Sequence, residues 1–151
     1  MIQQRLAGRA TIPIYIAMKH EAQEFATFGD YRRAIIDLAI ACETFIRQSV
    51  LDTLPADIRA NIWKFIEEGN IDQYISNFLP SLLGPAAATQ YRKTLKDELS
   101  SLFFKRNDIM HRGVSTDATS DNCRRFVAVF DALLELVPQG MVEARTPSPP
   151  I

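Results

Sequence analysis

Two side chains able to divide proton transfer and phosphate binding between them stand in one short string, Arg106-Asn107-Asp108-Ile109-Met110-His111. An imidazole titrates near neutrality, so His111 can give or take a proton at physiological pH. A guanidinium keeps its charge, and Arg106 can grip a phosphate through two parallel N–H donors without a metal. Asn107 adds a carboxamide able to orient the phosphate or the imidazole, and Asp108 adds a carboxylate whose simpler reading is a solvated helix residue.

The string closes the segment LKDELSSLFFKRNDIMHRG, in which Leu95, Leu99, Leu102 and Ile109 keep the spacing of a buried helical stripe. Arg106 stands in that stripe where another leucine is expected. Burying a guanidinium unpaired is costly, so the fold must supply a partner or open a polar cleft there. Glu43 is the first candidate for that partner, because it interrupts the most apolar stretch of the chain and itself needs a counter-charge. Such a bridge either positions Arg106 for phosphate or is purely structural. At about 100° per residue, Asn107 and His111 share a helix face flanked by Asp108, while Arg106 lies about 140° from His111. A cleft that uses both needs the long reach of arginine, a distorted helix end, or a second copy of the motif from another subunit. Gly113 is a natural C′ residue and places His111 in the last turn, where the helix dipole favours imidazolium.

An Arg, a polar residue and a His at four-residue spacing, near the end of a late helix in a small all-α domain, resembles the HEPN family. The upstream stretch GDYRRAIIDLAIACETFI resembles that family's early helix, with an acidic residue in an apolar run. The resemblance spans roughly residues 12–137. It implies a metal-independent endoribonuclease that needs no cofactor and acts as a homodimer, with two motifs facing one composite cleft. Arg106, Asn107 and His111 would be the catalytic residues, with Glu43 and Asp108 supporting and Lys105 and Arg112 as weaker contacts to RNA phosphates. Some HEPN toxins carry, two residues after the His, a Tyr that a partner nucleotidyltransferase modifies. Here that position is Gly113, so regulation of that kind is not implied.

Composition sets the frame. A chain of 151 residues, 47% hydrophobic and 23% charged, is long enough for one domain with a sizeable core. A net charge of −1 builds in no bulk attraction to nucleic acid or anionic membrane, so any such binding must be local. From Lys105 to Arg125 five Lys or Arg face three Asp, only a mildly basic balance. Lys105, Arg112, Arg124 and Arg125 are possible phosphate contacts, although single charges near helix ends are usually just solvated. Cys42 and Cys123 lie in apolar helical patterns, which favours buried thiols of a reducing compartment over a disulfide. Two distant histidines and no Cys-x-x-Cys argue against zinc, and no apolar run reaches the about 20 residues that span a bilayer. With no secretory pattern at the N-terminus, a cytoplasmic location is expected. His20 falls on a polar stretch and receives no role.

The elements that must position the motif follow from periodicity and punctuation. The expected fold is all-α, an up-and-down bundle of four to five helices with the motif on a long penultimate one. Residues 1–11 read as a leader or flexible N-terminus, 12–137 as the domain, and 138–151 as a flexible Pro-rich tail. Pro13 opens the first helix, with Tyr15, Ala22, Phe25 and Ala26 on its apolar face, and Gly29-Asp30 stops it and caps the next. Residues 30–53 are apolar on most sides and predict the central helix. Pro55 opens a shorter helix through Trp63 and Phe65 to Gly69-Asn70, residues 71–84 hold a brief helix or loop, and Pro85 starts a motif helix running to about 112. A Ser/Thr/Asp-rich loop over 115–121 precedes an amphipathic last helix, which Pro138 and Gly140 end. Phe103, Phe104, Phe126 and Phe130 fit core spacing better than base-stacking platforms.

Two functional classes stand on this reading. One is an RNase effector in toxin–antitoxin, phage-defence or stress systems, held in check by an antitoxin or a fused regulatory domain. The other is a catalytically silent helical module that dimerises, or binds RNA or a nucleotide, for a larger protein.

Overall fold

The computed structural model describes residues 11–113 and 116–145, all helical or connecting segments with no strand among them. In chain order the elements are α1 (Ile14–Thr27), α2 (Tyr31–Thr53), α3 (Ala60–Glu67), α4 (Ile71–Gln73), a π-helical turn (Tyr74–Phe78), α5 (Leu79–Leu82), α6 (Pro85–Thr94), α7 (Lys96–Arg112) and α8 (Ser120–Arg145).

The α1–α2 connection forms as its residues dictate. Gly29 takes a left-handed φ of +82°, and the Asp30 side chain accepts from the Arg33 amide to cap α2. Helix α2 is central: Ile35, Leu38, Cys42, Phe45, Ile46 and Val50 are buried between α1, α7 and α8. Tyr15 from α1, Phe45 from α2 and Phe130 from α8 meet edge to face, with centroids 5.0 to 6.5 Å apart. The motif helix α7 buries Leu99, Leu102, Phe103 and Ile109 against this centre, and Leu95 just before it is buried too.

Four boundaries differ from the sequence reading. The helix expected to open at Pro55 starts at Ala60, because Pro55 to Ile58 closes a turn and Arg59 is extended. Residues 71–82 are helical throughout, and their π turn lies just ahead of Pro80. There the Leu79 amide reaches back to the Tyr74 carbonyl, a widened turn that makes room for a residue unable to donate. The single helix expected over 85–112 breaks at Leu95, where φ is −117°. No breaker stands there; α6 and α7 lean on different neighbours, α6 on α8 and α7 on α2, and the kink serves both.

The last helix also runs past Pro138 and Gly140 to Arg145, so residues 138–145 belong to the bundle and not to a tail. Residues 1–10, nearly all of the expected leader, and 146–151, the end of the expected tail, lie outside the described residues. Buried Val137 and Met141 flank Pro138 and hold the helix to the core. Gly140 is a point of close approach: its carbonyl accepts from the Gly84 amide at 3.2 Å, and a Cβ there would stand 2.8 Å from that of Ala87.

This contact gives a prediction whose sign opposes helix propensity. Gly140→Ala gains about 1 kcal/mol of propensity, yet overpacking costs about 1–3 kcal/mol. Denaturant unfolding is expected to show a net loss of about 1–2 kcal/mol; a more stable variant would contradict the close approach.

Candidate functional site

Arg106 leaves α7 at the edge of the buried stripe, its side chain 16% accessible. Its Nη1 donates to Glu43 Oε2 at 3.3 Å, so the pair expected from the gap in the leucine stripe is present. Its Nε and Nη2 donate to Asn107 Oδ1 at 3.3 and 3.2 Å. The guanidinium carbon lies 5.2 Å from the Phe103 ring centroid. Glu43 is shared, because its Oε1 accepts from both Nε and Nη2 of Arg47 at 3.3 Å.

Arg47 is the site residue that the sequence reading missed. It stands one helical turn after Glu43 on α2, the spacing at which opposite charges meet, and that was the signal available. Its Nη1 donates to the Gly69 carbonyl at 2.9 Å, and its guanidinium lies 4.6 Å from the Tyr74 ring centroid. Tyr74 is fixed in turn, donating to the Ile66 carbonyl at 2.6 Å. Burial raises the Tyr74 phenol above its ordinary range while Arg47 pulls the other way. One carboxylate therefore sits between two guanidiniums, and the trio carries one formal positive charge.

His111 lies in the last turn of α7, before Gly113 with its left-handed φ of +66°. It is exposed. The helix end is regular, with the Gly113 amide bonded to the Ile109 carbonyl at 3.2 Å, so no distortion swings His111 towards Arg106. Among the described residues no hydrogen bond, ion pair or ring contact ties the imidazole to the bundle. Phe104, expected in the core, is 64% exposed, and Met110 is 59% exposed. The reason is angular: Phe104, His111, Asn107 and Met110 fall within an arc of about 120° on the solvent side of α7. Phe103, Phe126 and Phe130 are buried as expected.

The other expected contributors are engaged in ion pairs. Asp108 pairs with Arg112 at 3.6 Å, Lys105 with Asp117 at 3.6 Å, and Arg125 with Glu98 through two contacts of 2.5 and 2.7 Å. Arg125 holds the Glu98 carboxyl below its ordinary value. Arg124 bonds Ser120 on its own helix, and His20 is exposed on α1. Cys42 and Cys123 are buried free thiols; burial pushes Cys123 up to about 11 and Cys42 further, which makes both poor nucleophiles at neutral pH. Among the described residues no group of three or more His, Cys, Asp or Glu converges as a metal site, and no helix is long and apolar enough to cross a membrane. An open groove of about 430 Å³ between α1 and α8, floored by Leu38 and Cys123, is lined by none of the motif residues. Asp37, also on α2, is unusual on its own account. Its Oδ2 is buried with no hydrogen-bond partner among the described residues, and its pKa is raised by burial and by Glu21, with Arg33 opposing.

Comparison of the chain with protein-family models, with curated proteins and with solved structures gives no match. The arrangement of Arg106, Glu43 and His111 is therefore argued from its own chemistry.

Two stability measurements follow. Glu43→Ala leaves two part-buried guanidiniums sharing no carboxylate and is expected to cost about 1–3 kcal/mol, whereas Asp108→Ala stays within about 0.5 kcal/mol; equal losses would deny Glu43 its bridging role. Asp37→Asn is expected to stabilise the protein at neutral pH. Because the folded-state pKa of Asp37 lies above its ordinary value, the charged form strains the fold above that pKa. Lowering the pH through the folded value towards the ordinary one removes the strain, and with it the advantage of the variant. Chemical denaturation at pH 7 and near pH 3.5 checks this, and a gain that persists in acid would refute it.

Proposed function

We propose that this protein is a metal-independent endoribonuclease, an effector of toxin, defence or stress type, acting as a homodimer through the motif face of α7. The observation that carries the reading is the pairing, on one helix end, of a braced arginine with an exposed histidine that has no tie to the bundle among the described residues. Arg106 neutralises the phosphate and stabilises the charge that grows on it during attack. His111 moves protons: the 2′-hydroxyl loses one as its oxygen attacks phosphorus, and the departing 5′-oxygen gains one as its bond to phosphorus breaks. The products are a 2′,3′-cyclic phosphate and a 5′-hydroxyl.

The geometry of one copy supports a dimer. Arg106 is drawn towards Glu43, and the regular end of α7 leaves His111 about 140° around the helix from it. A two-fold axis across the motif face brings a second Arg106 and His111 to the same phosphate and supplies two imidazoles as base and acid. Exposed Phe104 and Met110 give that face the apolar area that association requires. An antitoxin or a fused regulatory domain would act by covering the same face.

One observation favours a second reading. Arg106 already has its donors directed at Glu43 and Asn107, as a purely structural arginine would, and this fits a catalytically silent module that dimerises or binds RNA or a nucleotide for a larger protein.

The test is cleavage of a labelled structured RNA in excess EDTA by wild type and by His111→Ala. Wild type is expected to leave cyclic-phosphate ends, and the variant to lose at least about 100-fold in rate while keeping its melting temperature. Phe104→Glu is expected to yield a monomer in sedimentation and to lose activity with it. Folded wild type that cuts none of several RNAs would move the assignment to the silent module.

A further inference from the structure

Arg106 has two donor edges, and the protein treats them differently. The Nη1 end meets Glu43 Oε2, an anionic oxygen of a carboxylate whose other oxygen is gripped by Arg47. Arg47 is itself fixed by the Gly69 carbonyl and the Tyr74 ring. This edge belongs to a braced assembly in which every member has a second attachment. The Nε and Nη2 edge holds a single acceptor, Asn107 Oδ1, at 3.3 and 3.2 Å. Asn107 is exposed, and its carboxamide has no further hydrogen bond among the described residues.

The Nε and Nη2 edge is one of the two edges through which a guanidinium can take an oxyanion bidentately, and the other is committed through Nη1 to Glu43. Its present acceptor is a poor competitor for that position, being neutral and exposed, whereas a phosphate oxygen is charged. Glu43 is the reverse case, a charged acceptor that a second arginine holds in place. An arriving phosphate oxygen therefore displaces Asn107 and leaves Glu43 where it is.

We propose that the Nε/Nη2 edge of Arg106 is a seat for a phosphate-ester oxygen, occupied in the resting protein by the Asn107 carboxamide, and that Arg47, acting through Glu43, is the positioning residue that keeps this edge presented. The endoribonuclease reading supplies only the identity of the phosphate, a backbone linkage of RNA. The seat itself is a property of three side chains and takes inorganic phosphate.

Arginine Nε–Hε signals read the seat directly by nitrogen-15 NMR. Inorganic phosphate is titrated at constant ionic strength into wild type, Asn107→Ala, Asn107→Asp, Arg47→Lys and Arg47→Met, with Arg106→Lys identifying the signal. The Arg106 signal is expected to shift saturably in wild type. Asn107→Ala is expected to bind about threefold to tenfold more tightly, the worth of one modest hydrogen bond no longer in competition. Asn107→Asp places an anion in the seat and is expected to abolish binding. Both act at an exposed position and leave the fold intact. Arg47→Met is expected to weaken binding, and Arg47→Lys, which keeps the charge opposite Glu43, to restore part of it. An Arg106 signal indifferent to phosphate, or equal affinities for the Ala and Asp variants at 107, would overturn the seat. A folded Arg47→Met that binds like wild type would overturn the role of Arg47. RNA cleavage by the same samples is scored separately: phosphate binding of the expected pattern without cleavage removes the ribonuclease reading and leaves the seat standing.

Discussion

Much of this molecule depends on one carboxylate held between two guanidiniums. Glu43 ties the motif helix to the central helix through Arg106, and through Arg47 it reaches the carbonyl that ends the α3 segment and the ring of Tyr74. Three layers thus meet at a single ionic point beside an otherwise apolar interface. A leucine at 106 would have completed the stripe and packed well, since buried ion pairs rarely stabilise more than the apolar residues that could replace them. The set is a costly way to fasten two helices. What it secures is a charged group in a fixed orientation at the rim of the core.

The surface around that point is electrically quiet. The net charge is −1, and Lys105, Arg112 and Arg125 near the motif are each engaged by a carboxylate. Pairs of this kind leave little free positive charge for a polyanion to exchange for its counterions. Under the proposed ribonuclease reading, affinity for RNA would come from few contacts, from a second copy that doubles them, or from neighbouring domains. The exposed side of α7 carries Phe104 and Met110 beside Asn107 and His111, and the groove between α1 and α8 lies elsewhere.

Much of the site was legible in the residues. A regular stripe with one charged member announced both Arg106 and its need for a partner, and an acid interrupting the most apolar stretch of the chain, Glu43, supplied it. Arg47 escaped because a charge one turn from an acid on a helix is so often a solvated pair; only the fold reveals that Gly69 and Tyr74 close around it. The kink at Leu95 carries no local signature, since it arises from two helices competing for one segment. Gly140 misled in the opposite direction: a glycine after a proline reads as a stop, yet here its missing side chain admits the Gly84 backbone and the Ala87 methyl. Phe104 was misplaced because helical spacing tells which residues share a face and not which face finds a neighbour.

The contact between Gly84 and Gly140 also bears on the order in which the chain assembles. It joins segments far apart in sequence, and α8, which carries Gly140, covers α2 and α6 along its length. Until α8 has emerged, the apolar sides of those helices have nothing to rest against. Glu43 and Arg106, both synthesised earlier, then face each other across an unfinished interior. Closure of the bundle therefore waits on α8, the element that brings Gly140 to Gly84. The ion pair between α2 and α7 is thus shielded by a helix synthesised after both of its partners.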